Sequence, residues 1–317
     1  MAVSVISYLE NSCLQWAAVD GEKATPLGAF PSLNQFLLNT SIAEIKQTLQ
    51  TTDASLKLDE LDIQSPVTEP CRIICQGTNY LDHLEETGAK AKDQPYNLLF
   101  AKDASTLAPA VGNLHRPANV QLLDYELELG LVIKKDIKQP TTITNANLPD
   151  FIAGIVIAND VSARGIQISQ EQWFKGKSFR GFCPVGPYLC LLEDEDFDKL
   201  DNLELELKVN GETRQKVNTS LMIFKPAETL TEISTIFNLA RGDLLLTGTP
   251  GGVALQPPSA LKIKLATLFL SPHKRSQKFI QGQLKVSNYL QKGDMIEARI
   301  TDVENSLNLG TQKLLCK

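Results

Sequence analysis

The chain has 317 residues, 43% of them hydrophobic, which is enough for one large core or for a main domain with a smaller companion. Its formal net charge is −6, with Lys and Arg scattered among Asp and Glu, so no basic stripe is available to neutralise a phosphate backbone and a nucleic-acid partner is not expected. No stretch approaches the roughly eighteen apolar residues of a membrane span, and Met1 to Glu10 lacks the pattern of a secretory signal, which predicts a cytoplasmic protein that is not anchored to a membrane.

In chain order, residues 1–68 read as a small N-terminal α/β module. A strand pair (Val3 to Tyr8, Leu14 to Val19) precedes a helix that opens on the capping box Ser41 and Glu44 and carries Ile42, Ile45 and Leu49 at helical spacing. The polar stretch Thr51 to Ser65, ahead of Pro66, makes the boundary with a second domain, 69–317. There short β-type runs recur: Ile73 to Cys75, Leu122 to Ile133, Phe151 to Ile157, Leu203 to Val209, Asp243 to Leu246 and Met295 to Ile300. Asn210-Gly211 predicts a tight hairpin turn, because both residues tolerate positive φ. One helix is predicted from Ala227 to Ala240, capped by Thr229 and Glu232 and ended by Gly242. One helix among so many strands predicts a β-rich α+β fold. The six cysteines are too sparse for a disulfide scaffold and are expected as thiols; Cys71, Cys75, Cys183 and Cys190 fit zinc spacing poorly.

Three segments bear chemistry. In Leu122-Leu-Asp-Tyr-Glu-Leu-Glu-Leu-Gly-Leu-Val-Ile133, strand alternation puts Asp124, Glu126 and Glu128 on one face, with neighbouring Cα atoms about 6.5 to 7 Å apart, so that two carboxylates can grip one hard cation. Leu203-Glu-Leu-Glu-Leu207 alternates in the same way beside a hairpin turn and is most simply a solvated face. The first strand differs because it runs on into the apolar Gly130-Leu-Val-Ile133, and carboxylates beside a buried run need a partner. The second segment, Ile155 to Arg164, is an apolar strand ending in Asn159-Asp160. Asp160 is either a third ligand or the start of an Asx turn, with Arg164 and Gln167 on one face of the helical turn that follows. The third holds His83, one of only three histidines, three residues before Glu86, a spacing that lets a carboxylate orient an imidazole; a solvated surface histidine is the alternative. Trp173-Phe-Lys-Gly-Lys-Ser-Phe179 lacks the earlier glycine of a phosphate-binding loop.

Taken together, these segments resemble the fumarylacetoacetate hydrolase family. The matching pieces are Gly77-Thr-Asn-Tyr-Leu-Asp-His83, Asp124-Tyr-Glu-Leu-Glu128, Asn159-Asp-Val-Ser-Ala-Arg164, Gln172-Trp-Phe-Lys-Gly-Lys-Ser-Phe179, Cys183-Pro-Val-Gly-Pro187 and Thr247-Gly-Thr-Pro-Gly-Gly-Val253, in the family's order over roughly residues 70 to 300. The resemblance implies a mixed β-sandwich roll, paired as a homodimer, with Mg2+ or Mn2+ held by Glu126, Glu128 and Asp160. It implies that His83 with Glu86 activates water, that Lys177 stabilises developing enolate charge, and that Arg164, Gln167, Thr249 and Lys102 hold a small anionic 2-oxo or diketo acid. The implied activity is hydrolysis of a carbon–carbon bond in an acylpyruvate or related diketo acid. Oxaloacetate decarboxylation, or hydration or isomerisation of an unsaturated 2-oxo acid, is the alternative on the same site, and an inactive metal-binding scaffold is the reading from another class. Residues 82 to 96 are a candidate lid.

The chain departs from the family pattern in four places. Gly165 follows the arginine and Arg180 follows Lys-Ser-Phe where acids are common, and Asp103 replaces a proline after Lys102. A longer stretch, including Ser271-Pro-His-Lys-Arg-Ser-Gln277, lies between Val253 and Gly293, as an extra hairpin at the dimer surface or near the site.

Overall fold

The recurring β-type runs pair into three sheets in the computed structural model, which describes residues 2–86, 95–256, 260–286 and 288–317. The largest has thirteen strands among the described residues; its main path runs from Leu56–Lys57 through Lys23–Ala29, Cys13–Asp20, Val3–Glu10, Leu189–Leu191, Ile152–Asn159, Leu127–Ile133 and Leu244–Leu246 to Ile73–Gly77 and Leu98–Lys102. A five-stranded sheet has the order Glu212–Asn218, Leu203–Val209, Met295–Asp302, Gln312–Cys316, Val111–Leu114. Leu123–Asp124 and Ser162–Ala163 form a small ribbon. Most pairs are antiparallel, but Leu244–Leu246 with Ile73–Gly77 and Gln312–Cys316 with Val111–Leu114 are parallel, so this is a β-rich α+β fold with mixed sheets.

The strands Leu127–Ile133 and Ile152–Asn159 are buried along their whole length, as their apolar runs require. Leu127, Leu129, Leu131, Ile155 and Ile157 pack into the same core as Leu205, Leu207, Ile296 and Ile300 of the five-stranded sheet. Their alternates, Val132, Val156 and Ala158, join a second core with Trp16, Leu33, Phe36 and Ile45 of the leading segment. Sheet-on-sheet packing thus covers one face and the leading helices the other. Strand Leu203–Val209 keeps the expected half-solvated alternation, and Asn210 and Gly211 turn with φ of 53° and 80°.

The leading residues form more structure than predicted. The Ser41–Glu44 capping box opens the helix Ile42–Thr51 as expected. A further strand, Lys23–Ala29, and a helix, Leu33–Asn39 with Ser32 accepting from Gln35 N, lay unread in a sequence interrupted by Pro26 and Gly28. Val3–Glu10 pairs directly with Leu189–Leu191, which joins the leading hairpin to the main sheet.

The predicted Ala227–Ala240 helix instead spans Pro226–Ile236, with Lys225 as a cap that makes no side-chain bond. The fixed φ of Pro226 sets the first turn, and Thr229 lies inside the helix, buried, accepting from Gln76 Nε2 at 2.9 Å and Asn97 Nδ2 at 3.1 Å. The stretch after residue 68 also holds more than one helix: Leu81–Glu86, Arg164–Gln167 and Trp173–Lys177 are too short for a periodic signature. The extra stretch contributes two helices, Ala260–Phe269 and Pro272–Gln283. Residues 87–94 of the lid candidate lie outside the described residues. Among the described residues no helix is long and apolar enough to cross a membrane.

Candidate metal centre

Glu126 and Glu128 converge with Asp160 because two neighbouring strands deliver them to one place. In the antiparallel register Leu127 faces Asn159, which sets Glu126 opposite Asp160. There one backbone bond persists and the Asn159 side chain takes the place of the other. Asp160 N donates to Glu126 O at 2.8 Å, and Glu126 N donates to Asn159 Oδ1 at 3.0 Å. The predicted sidedness survives the break: Tyr125 and Leu127 stay in the inter-sheet core while Glu126 and Glu128 face Asp160. One oxygen from each of the three carboxylates lies within 4.8 Å of the others, and all three residues are buried.

Cations fill the space around them. Lys177 Nζ is 2.5 Å from Glu126 Oε2 and 2.6 Å from Asp160 Oδ2. Arg164 Nη2 is 2.5 Å from Glu126 Oε1, and Arg164 Nε donates to Asp124 Oδ2 at 2.8 Å. Lys102 Nζ donates to Asp160 Oδ1 at 2.5 Å, Phe182 O at 2.9 Å and Val161 O at 3.3 Å, so its ammonium is fully engaged behind Asp160. Burial pushes Glu126 up, but the Arg164 and Lys177 charges outweigh it and hold the carboxyl down at about 2. Glu128 goes the other way: burial first, then the neighbouring Asp160 and Glu126 carboxylates, push it well above its ordinary value, although Gly248 N donates to its Oε2 at 2.7 Å. A crowded set of hard oxygen donors, one of them short of positive charge, fits a hard divalent ion.

The loop after strand Leu244–Leu246 closes the site. Gly248 has φ of +89°, and a Cβ there would lie 2.8 Å from Asn79 Cβ, so the backbone reaches Glu128 only because the residue is glycine. Thr249 Oγ1 donates to Leu127 O at 3.1 Å and accepts from Gln215 Nε2 at 2.8 Å, an arrangement that ties the loop to the ligand-bearing strand. Ala254 N and Leu255 N both donate to Asp124, which in turn holds Arg164.

His83 and Glu86 stand on the short helix Leu81–Glu86, with Nδ1 3.4 Å from Glu86 Oε2. Gly252 N donates to Glu86 Oε1 at 2.7 Å and Gly251 N to Asp82 Oδ2 at 3.0 Å, which fixes this helix against the glycine loop. The same glycine loop donates Gly248 N to Glu128, which puts the helix of His83 and Glu86 against the loop that closes the triad. Gln167 Oε1 accepts from Arg164 Nη1 at 2.8 Å. The structure therefore gathers Lys102, Glu126, Glu128, Asp160, Arg164, Gln167 and Lys177, sets His83 and Glu86 beside them, and puts Thr249 in the loop's anchoring.

Sequence reasoning gave no role to Asp124, Asn159 or Gln215. Asp124 had a signal in its alternation with Glu126. Gln215 had none, since it reaches the site from the other sheet, accepting from Leu127 N at 2.9 Å. The six cysteines are free thiols; burial pushes Cys71, Cys183 and Cys190 up to about 12.

A family model for the C-terminal domain of fumarylacetoacetate (FAA) hydrolase matches residues 72–312. The mitochondrial oxaloacetate tautomerase FAHD2A of Bos taurus is 37% identical over 226 residues, 70% of each chain, and its Homo sapiens counterpart is 34% identical over 237 residues, 73% of each. A probable 2-hydroxyhepta-2,4-diene-1,7-dioate isomerase from Mycobacterium abscessus superposes over 100% of this chain and 98% of its own with a TM-score of 0.73 and 26% identity. A fumarylacetoacetate hydrolase from Exiguobacterium antarcticum gives 0.71 and 26%, over 99% of both chains. With its matched length and its buried carboxylate triad, the chain belongs to the fumarylacetoacetate hydrolase family.

Proposed function

We propose that this enzyme interconverts the keto and enol forms of a small 2-oxo acid, with oxaloacetate the first candidate, and that Glu126, Glu128 and Asp160 hold Mg2+ or Mn2+ for the purpose. The observation that supports it most is the buried triad ringed by Lys102, Arg164 and Lys177, a place built to gather negative oxygen. The oxaloacetate tautomerase and dienedioate isomerase names of its relatives favour enol chemistry over the carbon–carbon cleavage that the sequence led us to expect.

When bound, the ion supplies Lewis-acid polarisation of the substrate's 2-oxo group. Lys177 and Arg164 offer positive charge to the oxygen that becomes enolate, and Gln167 keeps the Arg164 guanidinium in plane. With Nδ1–H turned to Glu86, His83 keeps a lone pair at Nε2 to take a proton from the substrate carbon and pass it to the enolate oxygen, and to carry it from oxygen back to carbon in the reverse direction. Lys102 acts as a positioning residue for Asp160. The same His83–Glu86 pair is arranged to activate water, which favours hydrolysis of an acylpyruvate or fumarylacetoacetate-like diketo acid as the second reading.

The test is to follow enol-to-keto conversion of oxaloacetate, carbon dioxide release, and consumption of acylpyruvates and fumarylacetoacetate, with Mg2+, Mn2+ or chelator. Wild type should accelerate ketonisation only with metal, and Glu126→Ala should lose about two to four orders of magnitude. Production of two acids from a diketo acid, with no acceleration of ketonisation, would put hydrolysis in its place.

A further inference from the structure

We propose that the cleft that opens at Glu86 receives the non-reacting end of the substrate and that Arg214 selects a carboxylate there, so that 2-oxo dicarboxylates are preferred to 2-oxo acids with neutral tails. This rests on the 2-oxo acid reading and adds the substrate class. The triad has room for only one end of a molecule: Glu126, Glu128 and Asp160 are 5%, 1% and 0% exposed, and lysine and arginine side chains crowd them. A cleft of about 450 Å³ opens at Glu86, walled by Arg214, Gly252, Leu255, Gln256 and Asn288. It is of a size that small-molecule sites commonly have, roughly 300 to 1,000 Å³. Glu86 is shared between this cleft and the histidine pair, and Gly252 between the cleft and the loop that closes the site.

Arg214 is the cation among the described residues that line this cleft. Its Nη1 donates to Asn288 Oδ1 at 2.8 Å and its Nη2 lies 3.1 Å from Glu212 Oε2, a carboxylate that is 70% exposed. Nε is buried and has no hydrogen-bond partner among the described residues. A buried guanidinium N–H without an acceptor is costly, and an exposed ion partner contributes little, so a ligand carboxylate that displaces Glu212 and turns the guanidinium toward the cleft gains a donor that the protein leaves unused. The position is also rigid. Gln215, the next residue, is bonded to Leu127 N and Thr249, and the Arg214 carbonyl packs against Gly252 so closely that a Cβ there would lie 1.9 Å away.

The far wall, Gln256 and Asn288, is braced by the second of the extra helices through Gln283. Gln283 Nε2 donates to Gln256 O at 2.6 Å and Gln256 N to Gln283 Oε1 at 3.2 Å, while Tyr289 Oη donates to Gln283 Oε1 at 2.7 Å. Asn288, which holds the guanidinium, lies just beyond the second helix. The length in which this chain departs from the family pattern thus frames the subsite.

The experiment compares KM and kcat for oxaloacetate and for acetylpyruvate, whose tail is neutral, in wild type, Arg214→Met and Arg214→Lys, and in parallel titrates succinate and butyrate into each protein by calorimetry. Arg214→Met should raise KM for oxaloacetate about tenfold to a hundredfold with little change in kcat, leave acetylpyruvate unchanged, and weaken succinate but not butyrate; Arg214→Lys should recover part of the loss. Equal changes for charged and neutral tails, or none, would overturn the assignment. Should wild type turn over neither acid, the enol reading falls, and the succinate titration alone decides whether Arg214 binds a carboxylate.

Discussion

Glu126 and Glu128 are two residues apart in the chain, yet their surroundings send them in opposite directions. Glu128, whose carboxyl is raised above the ordinary 4.5, favours the folded state while protonated; that contribution is complete below about 4.5 and lost as pH rises through its folded value. Glu126 is the reverse: held at about 2, it contributes above the ordinary 4.5, and the contribution fades as pH falls from there towards 2. In the metal-free protein the surroundings of Glu128 therefore oppose its ionisation, an opposition that a bound cation would relieve. Glu128→Gln should raise the Tm of the metal-free protein at pH 7 and abolish the rise that Mg2+ gives to wild type. Scanning calorimetry with and without metal checks both; an unchanged response to Mg2+ would remove Glu128 from the ligand set. The pair was legible in sequence because strand alternation is a property of a few consecutive residues. Their opposed electrostatics was not, because it comes from Lys177, Arg164 and Gly248, which are distant in the chain.

At the scale of elements, strands read well and loops poorly. The run Leu203 to Val209 and the turn Asn210-Gly211 were recovered whole from pattern, since alternation and positive φ are local demands. The helix predicted from Ala227 starts within one residue of that position but ends early, at Ile236, and its cap was misassigned because Thr229 and Glu232 imitate a capping box, while Gln76 and Asn97, which occupy Thr229, come from elsewhere. The glycine loop after Leu246 was quoted as a motif, but its work depends on contacts made across the fold. Gly211 and Gly252 separate the two costs of a side chain. Both have positive φ, 80° and 95°, but a Cβ at Gly211 meets nothing within 4 Å and one at Gly252 meets the Arg214 carbonyl. Gly211→Ala should cost about 1 to 2 kcal/mol from the left-handed backbone alone. Gly252→Ala should cost more, by about 1 to 3 kcal/mol of overpacking, and should lower kcat/KM as well, because Gly252 N positions Glu86. Urea titration of the two variants gives the comparison; equal losses would mean that the loop yields freely.

For the molecule as a whole, the site is a junction. Residues 80 to 86, 124 to 128, 159 to 177, 215 and 247 to 255 meet there, drawn from both large sheets and the loops between them. The β-rich class and the mixed sheets could be foreseen from the spacing of short apolar runs and from the family resemblance. The continuity of Val3–Glu10 with Leu189–Leu191 could not, since nothing local to either strand announces its partner. The chain's two tryptophans sit at opposite ends of this arrangement. Trp16 is buried and stacked on Phe36 at 4.3 Å in the leading segment, and Trp173 packs edge-on against Phe100 at 5.1 Å, on the helix that carries Lys177. The protein thus carries two native emitters, one for each end of the main sheet. In a refolding experiment on Trp173→Phe, emission from Trp16 should recover before activity does. In Trp16→Phe, emission from Trp173 should recover in step with activity, since the site needs contacts of long sequence separation, and those form late. Coincident recovery of both signals would make folding a single event, and the intrinsic fluorescence of the wild type would then report the whole molecule at once.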